Sequence, residues 1–320
     1  GPSRRGHPHV KLIPPVRADR EMDPDTMSEY ERIGRFLASL LESELPKIEP
    51  GDSLLDIAER IEAKIKEAGY EPAFPVNLSV NEVAAHYTPP PEDSTLVPEG
   101  ALLKVDVGVR SGGLIVDAAR TVDLSGKYET LIAATREAVE AAKRVMAPGV
   151  PVAKVSAAIY EAIRKRGLKP ITNLAGHKIE PYRLHAGIDI PNVPSRLARY
   201  KFSPGDVFAV EPFVTTPEGA GYVGEAPPGY IFSFLKNVRP SDYAERKILE
   251  AARERFRKLP FCERWIVPLL GIRVEYAIRR LVKRRALREY APLVEAKFTP
   301  VAQWENTLVV TDSGATSLTG

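Results

Sequence analysis

The stretch from 50 to 72, PGDSLLDIAERIEAKIKEAGYEP, is written a second time from 148 to 170 as PGVPVAKVSAAIYEAIRKRGLKP, without a gap. Pro50 falls on Pro148, Gly51 on Gly149, Ile57 on Val155, Ile61 on Ile159, Ile65 on Ile163, Gly69 on Gly167 and Pro72 on Pro170. Apolar residues recur at helical spacing in both copies and a glycine closes each, so each predicts an amphipathic helix with its stop. Two copies at so long a period do not make a solenoid; they predict one unit laid down twice about a pseudo-twofold axis. The repeat runs on into strands. Asn77-Leu78 returns as Asn173-Leu174, followed by His86 in the first copy and by His177 and His185 in the second. EGALLKVDVG (99–108) lies over PGDVFAVEPF (204–213), which places Asp106 on Glu211.

The stretch KVDVGVRSGGLIVDAARTV (104–122) predicts a hairpin about Gly112-Gly113, a pair suited to a type I′ turn with positive φ at both central residues. With that loop Asp106 faces Ala119 and Asp117 faces Gly108, so the two aspartates become diagonal neighbours on one face, about 7 to 8 Å apart at Cα. The second hairpin is interrupted: VFAVEPFVTT (207–216) finds its partner only at AQWENTLVVTD (302–312), where Glu305 is expected to be the counterpart of Asp117. Such acids can face solvent or pair with arginines such as Arg110 and Arg120. Their recurrence in apolar strands at equivalent positions favours a shared buried site instead. Acids buried together need cations, because charge burial is costly and like charges compound it; two divalent metals meet that need. His177, in NLAGHKIE, is the expected imidazole. Cys262 is the only cysteine, which excludes an internal disulfide and a thiolate cluster. A set of oxygens with one nitrogen suits Mn, Co, Fe or Zn, and the absence of HExxH removes the common single-zinc peptidase arrangement.

The remaining chain frames that site. Its 320 residues, 44 % hydrophobic, suffice for a sizeable core. No apolar run approaches the roughly 20 residues of a membrane span, and no N-terminal segment has a signal-peptide core, so a cytoplasmic address and no membrane partner are expected. Residues 1–27, rich in Pro, Arg, Asp and His, read as a flexible leader or an expression-derived tail, with His7 and His9 exposed there; a helix is expected from Glu29 to Ser43. The catalytic domain is expected over 28–218 and 283–320, split by a basic, amphipathic helical insertion at 219–282. A net charge of +3 does not itself call for nucleic acid, but Arg279, Arg280, Lys283, Arg284, Arg285 and Arg288 crowd one stretch and offer either a solvated helix face or a dock for ribosomal RNA. A single glutamine, Gln303, and abundant proline match the residue usage of thermophile proteins.

The stretches AGHKIEPYRLHAG, VFAVEPFVTT, FPVNLSVNEVAAHYTP, KVDVG and IVDAARTV resemble the archaeal and eukaryotic (type 2) methionine aminopeptidases over residues 28–320, the helical insertion included. The resemblance implies an α+β pita-bread fold, a curved antiparallel sheet covered by helices, and an aminopeptidase that frees the initiator methionine of nascent polypeptides when the next residue is small. It implies two divalent ions, Asp106 on one, His177 and Glu211 on the other, Asp117 and Glu305 bridging both, with a hydroxide between them. It also implies that His86 lies near the scissile nitrogen and that His185 lies near the scissile carbonyl; Glu211 is the expected group to shuttle the proton from water to the leaving amine. Phe74 and Phe213 would line the methionine pocket or simply pack in the core. Asn306, where archaeal relatives often carry histidine, departs from the pattern but points to the other pleat face from Glu305. A monomer is expected. Two competing readings remain: a proline dipeptidase or aminopeptidase of the same fold, and a non-enzymatic pita-bread protein that binds ribosomes or RNA.

Overall fold

The computed structural model describes residues 22–320, so the leader's His7 and His9 lie outside the described residues. Helix α1 runs Pro24–Glu44 and begins earlier than the expected Glu29, because Pro24 sits at its first turn, where a missing N–H costs nothing. Met22 and Met27, assigned from sequence to the leader, pack against the core. After α1 come α2 (Leu54–Glu67), β1 (Glu71–Val80), β2 (Val83–Ala85), β3 (Leu102–Ser111) and β4 (Leu114–Asp123). The second half repeats the scheme with α3 (Glu129–Val145), α4 (Val152–Arg164), β5 (Lys169–Pro170), β6 (Ala175–Ile179), β7 (Asp189–Pro191), β8 (Val207–Val210) and β9 (Phe213–Thr215). The glycines that flank α2 and α4 share their backbone as well as their place: φ is 90° at Gly51 and 82° at Gly149, 89° at Gly69 and 73° at Gly167. These left-handed values suit glycine and end each helix in the same way.

The insertion holds strands as well as the expected helices. It holds β10 (Val223–Glu225), β11 (Ile231–Phe234), α5 (Tyr243–Glu250) running into a π-turn at Ala251–Arg255, α6 (Glu263–Leu270) and α7 (Glu275–Lys283). It then returns through β12 (Leu287–Tyr290) and β13 (Leu293–Glu295), which pair antiparallel with β11 and β10. The helical cluster thus sits on a stalk of short strands, β12 paired with β11 and β13 paired with both β10 and β2. Periodicity revealed the helices, whereas strands of three or four residues are too short to declare a period. Phe232, Ile248, Ala252, Phe261, Ile278 and Leu281 give the insertion its own core.

The chain ends with β14 (Val301–Gln303), β15 (Asn306–Val310) and β16 (Ala315–Ser317). Strands β1, β3 and β4 form one antiparallel sheet; β16, β15, β8, β6 and β7 form another, and β14, β9 and β5 a third. One apolar core lies under α1 and α2, a second under α3 and α4. Among the described residues, no helix is long and apolar enough to cross a membrane.

The two halves meet at a seam between β4 and the β14–β15 junction. Ala119 and Glu305 exchange both backbone hydrogen bonds, at 3.1 and 3.0 Å. Two residues away on each side a threonine hydroxyl continues the ladder: Thr121 with the backbone of Gln303 (2.6 and 2.8 Å), and Thr307 with the backbone of Asp117 (2.7 and 2.8 Å). Side chains thus supply the bonds that a regular sheet would take from backbone, and the backbone groups of Asp117, Ala119, Gln303 and Glu305 that face the seam are satisfied.

Candidate metal centre

The first hairpin has the expected register, with Asp106 opposite Ala119 and Asp117 opposite Gly108. Its turn does not have the expected form. Only Gly112 takes positive φ, 54°, which is the demand of a II′ turn rather than of I′. Gly113 is glycine for a different reason: a Cβ there would lie 2.7 Å from the Tyr182 ring.

The second half does not place its acids as the first does. Asn306 pairs with Val210 and Gln303 with Phe213 in one continuous register, so Glu211 stands directly opposite Glu305. Both glutamates sit at breaks, between β8 and β9 and between β14 and β15. Since Asp106 faces Ala119, the symmetry equivalent of Glu305 is Ala119, not Asp117 as expected; the position equivalent to Asp117 belongs to Gln303. The overlay carried no partner strand for the second hairpin, so the slip of two residues was invisible in it. Gln303 is a site residue that sequence reading missed: it is buried, and its Nε2 donates to Asp106 Oδ2 at 3.2 Å.

Five predicted residues converge. Ligating atoms of Asp117, His177, Glu211 and Glu305 all lie within 4.8 Å of one another. Asp106 joins them across the hairpin, close enough for Asp117 and Glu211 to perturb its ionisation. Burial, together with the charges of Asp117 and Glu211, holds Asp106 well above the usual carboxylate range. Burial and the neighbouring Asp106, Asp117 and Glu211 do the same to Glu305, and burial raises Glu211. At His177 burial works against the charged ring, but Asp117 and Glu211 outweigh it and raise the ring above its ordinary value.

Such a cluster fits cations and little else. Glu305 is fully buried with neither carboxylate oxygen hydrogen-bonded, and Asp106 Oδ1 and Asp117 Oδ1 are buried without a partner. Orphaned buried acceptors of this kind ask for an ion. The imidazole is oriented for the same purpose: His177 Nδ1 donates to the Leu184 carbonyl at 2.7 Å, which leaves the Nε2 lone pair facing Asp117 Oδ2 at 3.5 Å and Glu305 Oε2 at 3.8 Å. Asn192 Nδ2 secures the break beside Glu211 by donating to its carbonyl at 3.0 Å.

The carboxylates form the floor of a cavity of about 60 Å³ whose walls include Phe74, Phe213, His86, His185, Leu174, Ile231 and Tyr290. Phe74 lies flat over Gly108, where a Cβ would meet its ring at 2.3 Å. Phe213 is both core and wall, buried among Ala84, Ile171 and Val301 while it faces the cavity. His86 has φ 70°, a left-handed backbone that directs its ring inward against Tyr290. Burial and the nearby Arg288 lower His86 to about 4; burial and His177, whose ring centroid is 4.2 Å away, lower His185 to about 3. Both rings are neutral near pH 7. Ile231 and Tyr290 come from the stalk of the insertion, a contribution no local sequence pattern announced.

Half of the basic run is paired inside the insertion. Arg280 and Arg284 bind Glu245, Arg280 also binds Asp242, and Arg279 pairs with Glu289. Lys283, Arg285 and Arg288 remain exposed.

Comparison with known proteins agrees with this site. Residues 29–312 match metallopeptidase family M24. The methionine aminopeptidase of Pyrococcus abyssi is 43 % identical over 290 residues, 90 % of this chain and 97 % of that protein. That of Archaeoglobus fulgidus is 40 % identical over 299 residues, covering 93 % of this chain and all of its own. Among solved structures, the methionine aminopeptidase of Thermotoga maritima aligns with a TM-score of 0.68 at 22 % identity, over 94 % of this chain and 99 % of that one. A thermophilic Arx1 aligns at 0.79 and 18 % identity, over 93 % and 91 %. At such identities the structural matches speak for the pita-bread fold alone. Family match, relatives and buried acid cluster together place this chain in metallopeptidase family M24, beside the archaeal methionine aminopeptidases.

Proposed function

We propose that this protein is a methionine aminopeptidase that uses two divalent cations to free the initiator methionine of newly made polypeptides with a small second residue, acting as a cytoplasmic monomer. The observation that carries the reading is the set of buried, unbonded carboxylate oxygens at the floor of a half-apolar cavity, in a chain 43 % identical to a curated methionine aminopeptidase. Asp106 would hold one ion, His177 and Glu211 the other, and Asp117 and Glu305 both; Mn, Co, Fe and Zn suit this donor set. Bound there, the cations supply Lewis acidity toward the scissile carbonyl and toward an attacking water.

The remaining work falls to the protein. Glu211, with its raised proton affinity, takes a proton from the attacking water and returns it to the leaving amine. His185, neutral, donates N–H to the developing oxyanion, and His86 holds the amide nitrogen. The substrate's free amine lies toward Asp106, which restricts cleavage to the first residue. Phe74 and Phe213 embrace the methionine side chain, whose thioether packs well on aromatic rings.

The rival proline-peptidase reading draws on the Pyrococcus furiosus prolidase, whose fold aligns at a TM-score of 0.58. Hydrolysis of Met-Gly-Met and not of Met-Pro is the expected outcome; cleavage of Met-Pro alone would reverse the assignment. Asp106→Ala should lower turnover of Met-Gly-Met by about 10³-fold or more while the unfolding midpoint of the metal-free protein is kept, since it removes one of several mutually repelling acids. Docking on ribosomal RNA would now rest on Lys283, Arg285 and Arg288, and charge reversal at Lys283 and Arg285 that leaves ribosome co-sedimentation unchanged would rule out their part in it.

A further inference from the structure

The catalytic cavity opens into a second, wider space of about 580 Å³ that shares Leu184, His185, Pro260 and Tyr290 with it. Among the described residues no acid lines this vestibule, whereas Arg183, Arg253, Arg257, Lys258 and Arg288 do. Arg183 is bound to Glu180 and Arg253 to Glu254. The other three engage no carboxylate among the described residues. They stand over aromatic rings instead: Arg257 3.9 Å from the centre of Tyr182, Lys258 5.5 Å from Phe234, and Arg288 4.6 Å from Tyr290. Rings hold these cations in place without neutralising them.

The backbone is bent to present two of them. The π-turn at Ala251–Arg255 hands over to Arg257 and Lys258, at φ 53° and 65°. Successive left-handed non-glycine residues are strained, and such strain collects at functional positions. Tyr290 couples the two spaces, since its ring carries Arg288 on one side and meets His86 edge-on, centroids 5.6 Å apart.

We propose that this vestibule is a subsite for acidic side chains of the polypeptide substrate, from its third residue onward, so that the enzyme favours chains whose N-terminal methionine and small second residue are followed by Asp or Glu. The inference rests on the aminopeptidase reading: a polypeptide with its first residue in the cavity has this open space, which shares four wall residues with the cavity, beside it for the residues that follow. Continuity with the cavity favours a substrate chain over RNA as the occupant. The gain belongs to binding that is equal in ground and transition states, so it appears in KM rather than in kcat.

The test compares kcat/KM for Met-Gly-Ser-Asp-Asp-Asp, Met-Gly-Ser-Ser-Ser-Ser and Met-Gly-Ser-Lys-Lys-Lys with the metal-loaded enzyme. At low salt the acidic peptide should exceed the neutral one by about three- to tenfold and the basic one should fall below it, with both ratios closing toward one in about 0.5 M salt. The triple variant Arg257→Asn, Lys258→Asn, Arg288→Gln should bring the acidic-to-neutral ratio to one; asparagine tolerates the left-handed backbone, so the turn is kept. An acidic peptide cut no faster than the neutral one overturns the proposal with no variant needed. So does a wild-type preference that survives the triple substitution or high salt. If the variant loses ribosome co-sedimentation while wild type shows no acidic preference, the cations serve RNA phosphates and the proposal is likewise wrong. Failure to cut any of the three peptides sinks the aminopeptidase reading, and this inference with it.

Discussion

Glu44 and Glu305 are equally shut off from solvent and ionise in opposite directions. Burial alone pushes either carboxyl up. At Glu44 that push is outweighed by Lys64, Arg60 and Lys47, at 2.5, 2.8 and 3.1 Å, and the group is held at about 2. At Glu305 burial is joined by Asp106, Asp117 and Glu211, and neither carboxylate oxygen has a hydrogen bond to offset them. A buried acid with its own cations is architecture, whereas one without them is a place for a cation to arrive. The two kinds also behave oppositely toward acid. Glu44's folded value lies below its ordinary 4.5, so its contribution to stability is complete above pH 4.5 and fades as pH falls through about 2. Because its three partners are a third to half exposed, we discount the shift and expect Glu44→Gln to cost about 1 to 2 kcal/mol at pH 7 and almost nothing near pH 2. Urea denaturation of both proteins at the two pH values checks this, and a cost that persists at pH 2 would show that the ion pairs are not its source.

Elements were legible in the sequence to the extent that they repeat or alternate. The helices α2 and α4 and the register of the β3–β4 hairpin were legible, since gapless self-similarity and a two-glycine turn mark where they lie. The four acids drew notice because a charged residue in an apolar stretch stands out, whereas His177 was singled out through the family resemblance. Gln303, Ile231 and Tyr290 did not stand out: the place of Gln303 depends on strands nearly 200 residues apart, and Ile231 and Tyr290 face each other on two strands too short to declare a period. The joint between insertion and core was equally hidden. Arg264 on α6 binds Glu62 on α2 with two bonds, at 2.6 and 3.0 Å, and adds the Pro89 carbonyl and the Thr88 hydroxyl; Trp265 Nε1 and the Val76 amide complete the carboxylate's shell. Arg264→Ala leaves that acid buried and short of its charge, and should cost about 3 to 5 kcal/mol, seen in denaturant unfolding and in a local change of Trp265 emission. The double change Arg264→Leu with Glu62→Leu should recover part of the loss. A single-variant cost under about 1 kcal/mol would mean that the insertion is anchored elsewhere.

The whole molecule stores unfavourable electrostatics at its centre, where the two halves join. Divalent ions that bind the folded chain and not the unfolded one relieve it, and at a hundredfold excess over Kd they should add about 2.7 kcal/mol. Calorimetry after chelation and again after addition of Mn or Co should therefore show a rise of several degrees in Tm, which Asp106→Ala should sharply reduce; an unchanged Tm would mean that no ion is held. The β4 seam carries a further consequence, one of timing. Both aspartates are in place once the chain has passed residue 123, but Glu305 must come from beyond the insertion, and the hydroxyl of Thr307 must travel back across 190 residues to reach Asp117. A chain emerging in order from the ribosome can complete its first half, hairpin included, and still own only part of a centre. Until synthesis has passed residue 307, the centre lacks both Glu305 and the hydroxyl that ties Asp117 to the second half.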